Sequence, residues 1–177
     1  SKHWVLDNKV EIPAVITEIT GITKEIIEAE GRDPVECLKE FLPILIKARS
    51  HITHNGIRFD IPFLIETLNQ IFQYTPDQKM AMTIELRSRA FDTAVHLKSN
   101  KIGFVPQWRE SYIQFADRVM NFRAFGVKYS LGVCAEELGI VATEKAHRAM
   151  ADVRMTHEVY KKLTAEQVET KNEDLPF

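Results

Sequence analysis

Two short stretches of strand-forming residues each lie upstream of a helical pattern, and that alternation limits what the chain can fold into. "SHIT" (50–53) precedes a helix expected from about Ile61 to Phe72, with Leu64, Ile65, Leu68, Ile71 and Phe72 as its apolar stripe. "RAFDTAV" (89–95) is the second strand, and further helical patterns follow it. Strands interleaved with helices specify an α/β layered domain, because each sheet face needs a helix to cover it.

Capping chemistry marks the helix ends. Asp33-Pro34-Val35-Glu36 opens a helix: Asp33 caps, Pro34 takes the first helical position, and Glu36 reaches back as in a capping box. Cys37, Leu38, Phe41, Leu42 and Leu45 follow at helical spacing, and Pro43 is expected to kink the helix or end it early. Upstream, "KHWVLDNKVEIP" reads as the tail of a strand entering a loop at Pro13. "ITEITGIT" (16–23) then places a helix stop at Gly21 and an N-cap at Thr23. "SLGVCAEELGI" (130–140) is a helix capped by Ser130 and stopped at Gly139. A last helix is expected from about Ala149 to Leu163, with Ala149, Val153, Thr156, Tyr160 and Leu163 facing the core.

A chain of 177 residues with 45% hydrophobic content can bury one core, so a single domain is expected over 1–163, with a polar, fraying tail over 164–177. The formal charge of −2 gives no global basic field. That does not argue against a nuclease, since bound metal ions supply positive charge locally. Cys37 and Cys134 share no metal-ligand spacing and point to a reducing compartment. No apolar run reaches the roughly 18 residues of a membrane span, and no signal-peptide pattern is present. The expectation is a soluble, intracellular protein, cytoplasmic or, in a eukaryote, nuclear, with no membrane partner.

Three residues carry candidate chemistry. Asp60 precedes Ile-Pro, where it serves either as a helix cap or as a metal-holding carboxylate. Asp152 lies on the stripe expected to face the core. It is either an early-turn acid favoured by the helix dipole or a carboxylate that needs a partner, since an unpaired buried charge is costly. His147 lies five residues earlier, a rotation of about 140° on a helix, so it works with Asp152 only from the preceding loop.

Three segments taken together are more specific than any one. His54, Asn55, Phe59, Asp60, Phe63 and Leu64 stand as His-Asn-x-x-x-Phe-Asp-x-x-Phe-Leu. His147, Ala149, Asp152 and Thr156 stand as His-x-Ala-x-x-Asp-x-x-x-Thr, with Phe91-Asp92-Thr93 between the two and "IPAVITEITGIT" (12–23) ahead of them. In order and spacing the chain resembles the DnaQ-like superfamily of 3′→5′ exonucleases, in the branch with a histidine in its last motif. The resemblance implies an RNase H-like mixed sheet flanked by helices and phosphodiester hydrolysis assisted by two divalent ions, magnesium or manganese. It assigns Asp152 and Asp60 as metal ligands and His147 as the base that takes a proton from the attacking water. Asn55, Phe59 and His54 become candidates for contacting the terminal nucleotide, and Asp92 a structural acid at a strand end. The expected partner is the 3′ end of single-stranded DNA or RNA, with a polymerase acting beside the domain as a further candidate.

The superfamily's first motif, Asp-x-Glu on its first strand, is missing: no Asp in this chain is followed two residues later by Glu. Asp7 and Glu11 are about 13 Å apart along an extended strand, too far to share a metal cluster. The expectation is a sheet entered part-way through its third strand, with the missing pair supplied by an upstream segment. If no such segment exists, the alternative is a non-catalytic nucleic-acid-binding or scaffold domain of the same fold.

The connection over 96–128 interleaves Lys98, Lys101, Arg109, Arg118, Arg123 and Lys128 with Phe104, Trp108, Tyr112, Phe115, Phe122 and Phe125. Basic and aromatic residues together suit single-stranded nucleic acid, with Arg109, Arg118 and Arg123 guiding the strand. The competing reading is structural: Tyr112, Phe115, Val119 and Phe122 have the spacing of one more helix in the core.

Overall fold

The computed structural model describes residues 2–7, 9–141 and 149–173, with side chains to 165 in the last stretch. In chain order the elements are β1 (Val5–Leu6), α1 (Ala14–Thr20), α2 (Lys24–Glu30), β2 (Gly31–Arg32), α3 (Pro34–Lys47), β3 (His51–Thr53), α4 (Asp60–Phe72), α5 (Pro76–Ser88), β4 (Ala90–Asp92), α6 (Thr93–Ile102), α7 (Tyr112–Asn121), α8 (Leu131–Glu137) and α9 (Ala149–Glu173). They fall into two compact units, one of Ser1–Arg49 with Glu144–Asp152, the other of Ser50–Thr143 with Val153–Phe177.

In the first unit β1 and β2 pair in parallel, Val5 with Gly31 and Leu6 with Arg32. A Cβ at Gly31 would lie 2.3 Å from the Ile27 carbonyl oxygen, so the strand can start directly on the end of α2 only with glycine there. Gly21 ends α1 in the left-handed conformation, and the Thr23 hydroxyl accepts the Ile26 N–H, both as the sequence predicts. Asp33 caps α3 by accepting from the N–H groups of Val35 and Glu36. Glu36 does not reach back; its carboxylate pairs with Lys39. Pro43 does not end the helix, which runs on to Lys47.

The second unit is built on β3 and β4, parallel, with His51 opposite Ala90, Ile52 opposite Phe91 and Thr53 opposite Asp92. The strand expected over 89–95 is only three residues long, because Asp92 caps a helix that starts at Thr93. Leu97, Cys134, Ala135, Met155, Val159 and Leu163 form one buried cluster joining α6, α8 and α9, with Phe91 packed against it. The Phe91 ring stacks on His96 at 4.2 Å and meets Tyr160 edge-on. Ile61, Ile65 and Leu68 of α4, Leu86 of α5, and Phe115, Ala116, Val119 and Met120 of α7 are buried as well. Tyr112, Phe115 and Val119 thus belong to a helix, as the structural reading of the connection holds, while Phe122 ends it half out of the protein.

Three sequence expectations shift. Helix α5 emerges where none was read, and α9 continues past Leu163 to Glu173. The buried face of α9 is also rotated: Met155, Thr156, Val159 and Leu163 are buried, whereas Val153 is 60% exposed and Ala149 is exposed. At about 100° per residue, positions 155, 156, 159 and 163 fall within about 100° of one another on the helix, and Val153 falls outside that arc. This rotation predicts a contrast. Val159→Ala should cost about 2 kcal/mol, from two buried methyl groups and the cavity they leave. Val153→Ala should stay within about 0.5 kcal/mol. Urea unfolding of the two variants checks it.

Candidate active site

In an open parallel sheet, ligands bind outside the carboxyl ends of the strands. Here both strands end on one pair, Thr53 beside Asp92. The Asp92 side chain is completely buried. Its Oδ1 accepts from the N–H of Asn55 at 2.7 Å and of Ala94 at 3.0 Å, and its Oδ2 accepts from the N–H of Ile57 at 3.0 Å. One carboxylate therefore caps α6 and fixes the turn after β3. The Asp92 N–H donates to the Tyr112 hydroxyl at 3.0 Å. Burial, reinforced by the charge of Asp92 and eased by this hydrogen bond, pushes that phenol up to about 12.

The turn depends on its own residues as well. Asn55 sits at φ 63°, a left-handed conformation that asparagine tolerates better than most side chains. Gly56 packs so tightly on Thr53 that a Cβ would lie 2.5 Å from the Thr53 Cβ. The Asn55 carbonyl accepts from Arg58 and Phe59, and the Gly56 carbonyl accepts from Ile61 at 2.9 Å. These bonds wind the chain into α4 and bring Asp60 to its first position.

Asp60 does not cap that helix. Phe59 occupies the N-cap, and no side-chain hydrogen bond closes the end. The Asp60 residue is exposed, yet its carboxyl pKa is raised. The crowding of protein around it is the main cause, and the charge of Asp92 adds to it; the residue's own N–H and nearby His54 offset part of the effect. A helix N-terminus alone would lower the value. Phe59 and Phe63, one turn apart on either side of Asp60, are each 70% exposed.

Beside this turn lies a cleft of about 540 Å³, lined by His54, Asn55 and residues 127–131. The half-buried His54 ring is held at both nitrogens, Nδ1 against the Thr93 hydroxyl and Nε2 against the Tyr129 carbonyl, each at 2.9 Å. The Asn55 Oδ1 is buried without a hydrogen-bond partner among the described residues.

The remaining predicted residues are placed as follows. Asp152 stands in the first turn of α9, half-buried, in the unit with residues 1–49, whereas Asp60 belongs to the other unit. His147 lies outside the described residues. The Arg118 guanidinium is committed within the fold: it donates to both Glu110 oxygens at 2.7 Å and to the Val105 carbonyl, and it lies over the Phe104 ring. This pairing draws Glu110 down to about 2. Arg109 is exposed, with its guanidinium 4.1 Å from the centroid of the Trp108 ring, and Arg123 is exposed. Among the described residues no three His, Cys, Asp or Glu side chains gather in a way that could hold a metal ion.

A family model described as Exonuclease, RNase T, matches residues 1–160. The chain belongs to that exonuclease family. Comparison with curated proteins and with solved structures returned no match. Membership confirms the superfamily resemblance and the mixed α/β fold with small parallel sheets that goes with it, and it makes the domain a nuclease-family domain whose substrate class is nucleic acid. Among the described residues no helix is long and apolar enough to cross a membrane.

The sequence points to Asp92 as structural, but not to the buried Lys98, 3% exposed, which donates to the Met120 and Phe122 carbonyls at the end of α7. Nor does any sequence signal mark the Tyr129 carbonyl as a partner of His54, because that contact is set by tertiary packing.

The two exonuclease-domain carboxylates are expected to respond oppositely to substitution. Asp92→Ala strands three buried N–H donors and should cost about 3–5 kcal/mol in urea unfolding. For Asp60 the folded chain holds the proton more tightly than the unfolded chain, so stability falls as pH rises from the unfolded carboxyl range through the raised folded value. At neutral pH the ionised carboxylate therefore works against the fold. Asp60→Asn should raise the urea midpoint there in the presence of EDTA, and the gain should vanish in acid, where the carboxyl is protonated in both states.

Proposed function

We propose that the protein removes nucleotides from the 3′ end of single-stranded DNA or RNA by metal-assisted hydrolysis of the phosphodiester bond. Asp60 carries this reading. It is an accessible carboxylate that caps nothing, at the carboxyl ends of β3 and β4, in a chain of an exonuclease family. The donor chemistry fits a hard divalent cation, magnesium or manganese, which takes oxygen ligands. Crowding and the charge of Asp92 disfavour the negative charge on Asp60, and among the described residues only His54 offsets them electrostatically from another residue, so a cation there is favoured. Asp60 would hold such an ion, which when bound stabilises charge on the phosphate and on the attacking and leaving oxygens, and Asp152 is the other acid whose chemistry suits a ligand.

The other roles follow from side-chain chemistry. His147 takes the proton from the attacking water, a task suited to a group that titrates near neutrality. The exposed Phe59 ring offers a stacking surface for the terminal base, and Asn55 lines the cleft where it would meet the terminal nucleotide. His54 forms the adjoining wall of the cleft. Arg109 and Arg123 meet the phosphates of the incoming strand, while Arg118 holds the loop that carries Arg109.

On a single strand that follows loss of the 3′ nucleotide, with magnesium present, the full-length protein should shorten the substrate stepwise. Asp60→Asn should reduce kcat about a hundredfold or more. Equal turnover by both proteins rejects Asp60 as a ligand, and no turnover by the full-length wild type rejects the catalytic reading. Replacing Arg109 and Arg123 together with Ala should weaken binding most at low salt and lessen the log–log salt slope by about 1.4, the release expected of two phosphate contacts on a single strand.

A further inference from the structure

Three hydrogen bonds run in series through the wall of the cleft, and a neutral histidine cannot supply their protons. The Tyr129 carbonyl faces His54 Nε2 at 2.9 Å, His54 Nδ1 faces the Thr93 Oγ1 at 2.9 Å, and that Oγ1 faces the Thr53 carbonyl at 3.0 Å. Both ends of the series are carbonyl oxygens, which only accept. Three contacts therefore need three protons. The threonine hydroxyl brings one and a neutral imidazole brings one; an imidazolium brings two. Only the doubly protonated ring completes the series. A neutral ring leaves open either the bond to Tyr129 or one of the two bonds made by Thr93.

We propose that His54 is a positioning residue whose doubly protonated ring clamps the 127–131 segment to the ends of β3 and β4, and that loss of one proton loosens this wall of the cleft. His54 follows β3 directly, Thr93 follows β4 directly, and Tyr129 lies in the segment leading into α8, so the ring ties three parts of the unit together. The charged groups around it are few. Asp92 at the end of β4 and Asp60 at the start of α4 favour the charged ring; burial opposes it and prevails, leaving His54 below the ordinary histidine range. On the far side, Lys98 lies 4.9 Å from the centroid of the Tyr129 ring, and Lys101 donates to the Lys128 carbonyl. With the remaining proton on Nδ1 both Thr93 bonds survive and the Tyr129 bond is the one lost; those two contacts then keep the segment attached, so the wall loosens at Tyr129 without leaving the protein. The clamp is complete where the ring carries both protons and incomplete at neutral pH. Its bearing on substrate rests on the nuclease reading; the clamp itself does not.

The test is a titration of the full chain followed by NMR from about pH 8 down to the acid limit of the folded protein, with no metal added. The His54 ring signals and the amide signals of residues 128–131 should move with one midpoint, and amide exchange in that segment should rise severalfold as the ring loses its proton. Thr93→Val removes the acceptor for the Nδ1 proton, so the midpoint should fall, by about tenfold in proton affinity. A ring that titrates without any response in residues 128–131 overturns the clamp, as does a midpoint unchanged by Thr93→Val. The dissociation constant of a short oligothymidylate, measured across the same range, should rise with the same midpoint. Binding that ignores pH while the wall responds overturns the positioning role. A wall that responds in a protein that binds no oligonucleotide leaves the clamp standing and sinks the nuclease reading instead.

Discussion

The carboxylate of Asp92 organises this unit. A buried charge is tolerable when its lone pairs are taken up by well-placed donors, and Asp92 has three backbone N–H groups from two segments. Two of those donors belong to the turn after β3 and one to the first turn of α6. The bonds convert a parallel pair only three residues long into a fixed corner, which the ladder alone could not hold. The left-handed Asn55, the crowded Gly56 and the start of α4 all follow from where that corner is pinned.

The same unit solves a second electrostatic problem at the end of α7. The last carbonyls of a helix carry partial negative charge and need donors. Lys98 supplies its ammonium to Met120 and Phe122, and Arg58 adds a bond to Met120 at 2.9 Å. Burial, with Arg58 nearby, holds Lys98 below the ordinary lysine range. Arg58 is two residues from Asp60, so the element that carries the candidate ligand is tied to α7 as well as to Asp92. The cations of this region thus hold the scaffold together, while among the described residues no arginine or lysine is counted in the charges acting on Asp60.

Local chemistry was legible in the sequence and tertiary chemistry was not. Gly21, Thr23, Asp33 and Gly139 announced helix ends through backbone preferences that act within a few residues. The missed helix α5 carried the same kind of signal, Thr75-Pro76-Asp77-Gln78, whose capping box forms in full; its apolar pattern is too weak to reveal it, since only Leu86 is buried. Val153 was misplaced because valine suits a core but does not specify which face of a long helix meets one. For the site, spacing marked out Asp60 and Asp92, yet the division of labour between them rests on hydrogen bonds from residues 37 and 35 positions away in the chain. His54 is a similar case. Its residue type is plain, but its partners Thr93 and Tyr129 are distant in sequence.

What separates Asp60 from Asp92 is the number of donors each already holds. They share a neighbourhood and a charge, and the charge of Asp92 disfavours ionisation of Asp60. Asp92 has its oxygens occupied by three N–H groups and has nothing left to offer a ligand. Among the described residues Asp60 has its own N–H and little else. A carboxylate with few donors in a crowded place is costly to a fold that must stand alone. The corner built by Asp92 is what allows that deficit. The turn after β3, held by two of the Asp92 bonds, fixes where the exposed Asp60 carboxylate stands at the start of α4.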